Sequence, residues 1–373
     1  MTMAKVLVAG TGLIGTSAAL ALREKDVAVY LSDIDADAVR LARELGAGQE
    51  WTGQDVDLAV IAVPPHLVGE VLADLQKQRA ARAYTDVASV KVDPIADAQR
   101  FGCDMTSYVP GHPLAGRERS GPAAARADLF LGRPWALCPG PETDDRAVRL
   151  AQELVSMCGA KAVTVGAGEH DSAVALVSHA PHVAASAVAA SLASGDDVAL
   201  GLAGQGLRDT TRIAAGDPLL WQRILAGNAL PVAEVLERIA ADLAVAASAL
   251  RSGDLDDVTD LLRRGVDGHD RIPGKHGGPV RDYGVVQVVL QDRPGELARL
   301  FNAAGLANVN IEDVRLEHST GLPVGVAEMS VRPQDTDRLA DVLRFHGWHV
   351  PPVPSGNPVD PAVRRRAVSP QPS

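Results

Sequence analysis

The sequence predicts an α/β protein in three parts: a doubly wound parallel sheet over residues 1–165, an all-helical domain over 166–272 and, past a connector at 273–281, a small α+β domain over 282–350. Three observations carry that expectation. A strand, a glycine turn and a helix open the chain at residues 6–22; strand-like apolar runs then alternate with helical stretches to residue 165; and strand signals vanish until residue 284. Alternation of this kind builds parallel sheets, whereas a long interval without strands builds a separate helical layer.

The opening unit places Gly10, Gly12 and Gly15 in a Gly-x-Gly-x-x-Gly turn between an apolar β-branched run and an alanine-rich helix. This is the dinucleotide-binding, Rossmann-type fingerprint in its proper context. Gly10 permits the tight turn, Gly12 lets the backbone approach a pyrophosphate, and Gly15 lets helix and strand pack closely. Free N–H groups at the helix start, at Leu13 and Ile14, then face the phosphates. The next strand, residues 27–31, ends at Ser32-Asp33-Ile34-Asp35. Asp33 is the candidate for the adenosine ribose hydroxyls, and Asp33 or Asp35 also suits the cap of the following helix. Carboxylates at 33, 35 and 37, with no basic residue before Arg40, disfavour an extra phosphate and point to NAD.

The strand at 56–63 stops at Pro64-Pro65, and a helix at 67–78, a strand at 83–87 and a helix at 90–100 continue the alternation. Ligands of such sheets bind at the carboxyl ends of strands, which singles out Pro64, Pro65, Ser89, Lys91 and His112. Ser89 stands where strand gives way to helix and reads as an N-cap that can also face a cofactor. His112 lies between Gly111 and Pro113. It is either an exposed loop histidine or, with a near-neutral pKa, the base that takes a hydroxyl proton as hydride departs.

With 373 residues the chain can hold two or three domains, each with its own core. A formal charge of −11 opposes nucleic acid and anionic membranes and favours a small-molecule partner. Cys103, Cys138 and Cys158 are too few and too scattered for a disulfide framework or a thiolate metal site, so a reduced, cytoplasmic setting is expected and no metal. The apolar run at 173–193 contains His179, Pro181 and His182 and reads as a buried helix rather than a membrane span.

Residues 111–121, together with Asp86-Val-Ala-Ser-Val-Lys91 and Ser178-His-Ala-Pro-His182, resemble the prephenate dehydrogenase family, which includes arogenate dehydrogenases. The resemblance runs from about residue 4 to about residue 260. It implies that His112 accepts the substrate's hydroxyl proton and that Ser89 bonds near the same hydroxyl and the nicotinamide. It also implies that the face bearing His179 and His182 lines the substrate pocket, that Arg212 clamps a substrate carboxylate and that Trp221 is a pocket residue. Read from the residues alone, the two histidines are satisfied core groups, Arg212 a helix-surface ion-pair former and Trp221 a core residue. Pro181 should bend its helix, at a cost of about 3 kcal/mol. Arg117 departs from the hydroxyl residue common in the family; it either pairs with a substrate carboxylate or faces solvent, and Glu118 would favour an ammonium. The helix at 232–251 is expected to pack against a second subunit in a homodimer.

After the connector, the order of elements with Asp292-Arg-Pro294-Gly295 and Asn308-Val-Asn310-Ile311 resembles an ACT domain, an amino-acid-sensing module of βαββαβ type. The resemblance implies that these loops meet across a domain pair and bind an amino acid, with tyrosine the expected effector. A ferredoxin-like appendage used only for dimer contacts is the alternative. The Pro- and Ser-rich stretch at 351–373 is expected to be disordered. Two further functional readings are an NAD-linked amino-acid sensor without catalysis, which would not need Ser89, His112 and Arg212 together, and another hydroxyacid dehydrogenase, which the Gly-His-Pro segment fits poorly.

Overall fold

The structure, a computed structural model, describes residues 3–115, 121–273, 283–318 and 324–351. The chain divides into two compact units, Met1–Ala241 and Asp242–Ser373.

The first unit opens with β1 (Lys5–Ala9), α1 (Leu13–Arg23), β2 (Ala28–Ser32), α2 (Ala36–Glu44), β3 (Gln49–Glu50), β4 (Val56–Ile61), α3 (Val68–Lys77), β5 (Ala81–Asp86), α4 (Val92–Arg100) and β6 (Tyr108–Val109). These strands form one parallel sheet in the order β3-β2-β1-β4-β5-β6, with Val6 beside Val29 on one side and Leu58 on the other. Both faces are covered, which is why the strands read as unbroken apolar runs. Val6, Val8, Leu58 and Val60 enter one core layer, and Leu7, Ala9, Ala59 and Ile61 enter the other. The strand order reverses between β1 and β4, opening a crevice at their carboxyl ends.

Next, β7 (Gly111–Pro113), β8 (Pro134–Leu137), α5 (Asp145–Met157) and β9 (Lys161–Thr164) add a second sheet, ordered β7-β8-β9. The strand expected at 161–165 therefore belongs to this sheet, and His112 sits on β7 opposite Ala136 rather than in an exposed loop.

Beyond it, α6 (Ala167–Val174) passes through a π-helical turn at Ala175–His179 into α7 (Ala180–Ser191), followed by α8 (Asp197–Gly201), α9 (Gln205–Thr211), α10 (Pro218–Ala226) and α11 (Ala229–Ser252). Pro181 lacks a donor and crowds the Val177 carbonyl, and the widened π turn just before it takes up the misfit. The continuous helix at 167–194 is long and apolar enough to cross a membrane, yet 33% of its most apolar window is buried. The expected buried helix is thus buried on one face only: Val174, Ala175, His179, Ala180 and His182 are inside, whereas Leu176 and Val177 are exposed.

The second unit begins within α11. Arg264 on α12 (Asp256–Asp270) grips Asp242 on α11 with two bonds of 2.9 and 3.2 Å. Then come β10 (Gly284–Gln291), α13 (Glu296–Leu306), β11 (Ile311–His318), β12 (Val324–Val331) and α14 (Thr336–Phe345), with an antiparallel bridge from Val289 to His349. The sheet is antiparallel in the order β10-β12-β11 and carries a core of Val286, Val288, Leu300, Met329, Leu339 and Leu343.

Candidate active site

The glycine turn is shaped by steric exclusion. Gly10 has φ +106°, and a Cβ there would lie 2.2 Å from the Ala62 carbonyl oxygen; a Cβ on Gly15 would lie 2.0 Å from the Gly10 oxygen. A Cβ on Gly12 would meet nothing within 4 Å, so space is left at the position where a pyrophosphate approaches. α1 starts at Leu13 with no side-chain cap, leaving the first N–H groups, Leu13 and Ile14 among them, directed outward. Asp33 follows β2 and accepts bonds from the Thr11 N–H (2.6 Å) and hydroxyl (3.0 Å), which ties it to the turn. Asp35, not Asp33, caps α2, accepting from Asp37 and Ala38. These residues fit a dinucleotide with an unphosphorylated ribose: the turn offers free N–H donors for a pyrophosphate and the Asp33 carboxylate for a ribose.

Past β5, two buried polar groups set the frame for His112. The Lys91 ammonium bonds the Asp86 carboxylate and the Gly111 carbonyl (2.6 Å), while Asp86 also accepts from the Tyr108 hydroxyl (2.6 Å) and the Gly111 N–H (3.2 Å). Burial and the Asp86 charge hold the Tyr108 phenol protonated, well above its ordinary pKa. Because Lys91 and Asp86 both grip Gly111, the position of His112 is fixed from the adjacent peptide.

His112 Nδ1 lies 2.9 Å from His170 Nε2, and His170 Nδ1 lies 2.7 Å from Asp171 Oδ1. Asp171 also accepts from the N–H groups of Lys91 (2.8 Å) and Val92 (2.8 Å). The N-terminus of α4 is therefore capped by a carboxylate 80 residues along the chain and not by Ser89, which corrects the expected cap. The Asn228 amide donates to the Asp171 carbonyl (2.8 Å) and stands 3.1 Å from His179 Nδ1. Burial, then the charge of Lys91, then His170 and His179 push the His112 pKa well below the usual histidine value. His179 falls to about 4, chiefly through burial with Asp171 opposing, and burial also lowers His182. All three are neutral at pH 7.

His182 stacks on Trp221 with ring centroids 3.6 Å apart, and His179 meets the edge of the same indole at 6.2 Å. Gly216 leaves room for the stack, since a Cβ there would lie 2.6 Å from Trp221 Nε1. Arg212 opens the 3₁₀ turn that leads to Gly216; it is exposed and has no carboxylate partner among the described residues, which corrects the ion-pair reading. Ser89 is half-buried at the end of β5, and Pro64 is exposed after β4. Arg117 and Glu118 lie outside the described residues. The sequence reading missed His170, Asp171 and Asn228; the available signal was a His-Asp pair on the same helix face as Val174, one turn below the buried stripe.

In the second unit, Asp292, Pro294 and Gly295 form the turn from β10 to α13, and Gly295 has φ +85°. Asn308 (φ +53°), Asn310 and Ile311 lead from α13 into β11. Val331 pairs with both Gly284 and Ile311, so the second loop stands at the start of β10 and the first at its end. Seven strand steps separate them, roughly 23 Å.

Residues 18–164 match the nucleotide-binding domain of prephenate dehydrogenase, and residues 166–264 match its dimerisation domain. The chain belongs to the prephenate dehydrogenase family. It is 41% identical over 93% of its length, and 99% of the relative's, to the probable prephenate dehydrogenase NovF of Streptomyces niveus. Prephenate dehydrogenase of A. aeolicus in complex with hydroxyphenyl propionate and NAD+ superposes with a TM-score of 0.64 at 25% identity, covering 72% of this chain and 98% of that one. A Synechocystis arogenate dehydrogenase superposes with a TM-score of 0.62 at 25% identity, covering 72% and 99%. The family fold therefore accounts for the nucleotide-binding and helical parts, and the chain is an NAD-dependent oxidoreductase of that family.

Proposed function

We propose that this chain oxidises and decarboxylates prephenate to 4-hydroxyphenylpyruvate, using NAD and His112 as base. The observation that carries the reading is His112 itself: a neutral imidazole, held by Nδ1, beside strand ends that the glycine turn marks as the cofactor crevice. Bound NAD supplies the hydride acceptor. Gly10, Gly12, Leu13, Ile14, Gly15, Asp33 and Pro64 hold it, and Ser89 bonds near the reacting hydroxyl. His112 Nε2 takes the hydroxyl proton as the ring carbon gives up its hydride. The bond to the ring carboxylate then breaks, its electrons make the ring aromatic, and carbon dioxide leaves. The phenolate oxygen that results takes the proton back, so the protein ends as it began. Arg212 pairs with a substrate carboxylate, a role suited to an exposed arginine with no carboxylate partner among the described residues. His179, His182 and Trp221 form the pocket wall, and Arg117 and Glu118 are proposed for the substrate side-chain end.

The domains are proposed as 1–165, 166–272 and 282–350, in a cytoplasmic homodimer joined through the helical part. The third domain is proposed as an ACT-like sensor of an amino acid, tyrosine first. Its βαββα order with a closing bridge supports this, and the distance between its two loops means that a site using both needs two copies. The test is the initial rate of NADH formation with NAD+ and prephenate or arogenate, each with and without tyrosine. Prephenate turnover is expected. A preference for arogenate would move the substrate to the amino form, no turnover of either would overturn the function, and indifference to tyrosine would remove that effector.

A further inference from the structure

We propose that His170 and Asp171 are positioning residues for this reaction, forming with His112 a relay that leaves His112 Nε2 bare for the substrate hydroxyl. The inference rests on the reading of His112 as base.

The proton positions follow from Asp171 outward. Its carboxylate accepts from two backbone N–H groups at the start of α4, and an ionised carboxylate can only accept. The N-terminal end of a helix also favours the anion. The nitrogen 2.7 Å away, His170 Nδ1, must therefore carry a hydrogen. In neutral His170 the other nitrogen, Nε2, has a lone pair. It faces His112 Nδ1 at 2.9 Å, so His112 Nδ1 is the donor. That leaves the His112 lone pair on Nε2, which is the tautomer a base needs.

The same chain eases the charge that forms next. Burial and then the Lys91 charge disfavour a cation on His112, and Asp86 is already engaged by Lys91. When His112 Nε2 gains the hydroxyl proton, the proton on Nδ1 can pass to His170 Nε2. His112 is then neutral again and the positive charge rests on His170, against the Asp171 carboxylate. One proton enters and none leaves, and the shift reverses when the phenolate reclaims its proton. Asn228 holds the Asp171 peptide through its carbonyl oxygen and fixes the pair in place.

Two substitutions at one position separate this role from a structural one. His170→Gln keeps an acceptor where Nε2 stands and loses the Asp171 bond; His170→Asn keeps a donor toward Asp171 and loses the acceptor for His112. The relay predicts that H170N, which loses both the acceptor and the proton site, lowers kcat by about 100-fold with KM for prephenate and NAD+ changed less than about threefold, while H170Q, which keeps the acceptor but cannot take the proton, loses only about tenfold. In H170N the acidic limb of the kcat profile should also move down by about one pH unit, because the imidazolium loses its acceptor. A purely structural role predicts the reverse order, with H170N the milder, and that order would overturn the proposal. A second readout needs no substrate. ¹⁵N-histidine NMR of the protein, with signals assigned by loss in H112N and H170N, should show both histidines protonated on Nδ1. His112 protonated on Nε2 instead would overturn the relay, even in an enzyme that failed to oxidise prephenate or arogenate, a failure that would count against the proposed function alone.

Discussion

The glycine turn stands at the strand ends of the parallel sheet and the histidine cluster where the end of β5 meets β7 and the helix at 167–194, and they are made in opposite ways. The turn is assembled from residues 10–15 and a carboxylate at 33, and its shape follows from where a Cβ cannot fit. The cluster gathers residues 86–91, 108–112, 170–182 and 221–228, and its shape follows from which polar atoms have no water and must find one another. The difference teaches where each region is fragile. The turn should respond to added volume, and the cluster to a change of charge or of a single proton.

The largest effect expected is on rate. His112→Asn should lower kcat by about 10²–10⁴ while NAD affinity, measured by fluorescence titration, is preserved. Unchanged turnover would show that the cluster is not where the proton goes. Next comes Lys91→Met, which leaves Asp86 buried and unpaired and should cost about 3–5 kcal/mol in urea unfolding. Adding Asp86→Asn should recover much of that loss, because the stranded charge is then gone. Equal stability of the single and double variants would mean that the pair does not act as a unit.

Titration tests the same region without substitution. His112 and His179 have folded-state values below the unfolded histidine value of about 6.5, so the unfolded chain gains protons first as pH falls. Their contribution is complete above about pH 6.5 and is lost as pH drops toward the folded value of His179, about 4. A group shifted by that much contributes at most about 3 kcal/mol. The Tm should therefore fall between pH 7 and pH 4.5, and His179→Gln should flatten the fall; identical slopes would detach His179 from the acid sensitivity.

The contrast also explains what could be read in advance. The fingerprint, the parallel alternation and the strand-helix-strand opening of the third part are short-range patterns, and all were visible in the sequence. Strands of three or four residues such as β7 and β8 carry too little periodicity to be seen, so the second sheet was not expected. Ser89 looked like the cap of α4 because capping is usually local, whereas the capping carboxylate comes from Asp171. His170 and Asp171 look like ordinary helix residues, and Asn228 like a turn residue, until the fold brings His170 beside His112, Asp171 behind it and Asn228 against Asp171. The members singled out in advance were those with a motif or a strand end to mark them: Ser89, Lys91, His112, His179, His182 and Trp221.

The smallest effects belong to the turn, and they sort its glycines. Gly15→Ala must push a Cβ against the Gly10 carbonyl oxygen, now 2.0 Å from that position, and should cost about 1–3 kcal/mol of stability with or without cofactor. Gly12→Ala meets no such contact, and its φ of −71° suits alanine. Its stability without NAD should stay within about 0.5 kcal/mol of the native protein. The added methyl would instead stand between the backbone and the pyrophosphate, so NAD affinity should fall roughly tenfold, about 1.4 kcal/mol. An equal loss of cofactor-free stability in both variants would mean that the space at Gly12 is taken up by the protein itself, and the turn would then be a packing feature with no room for a phosphate.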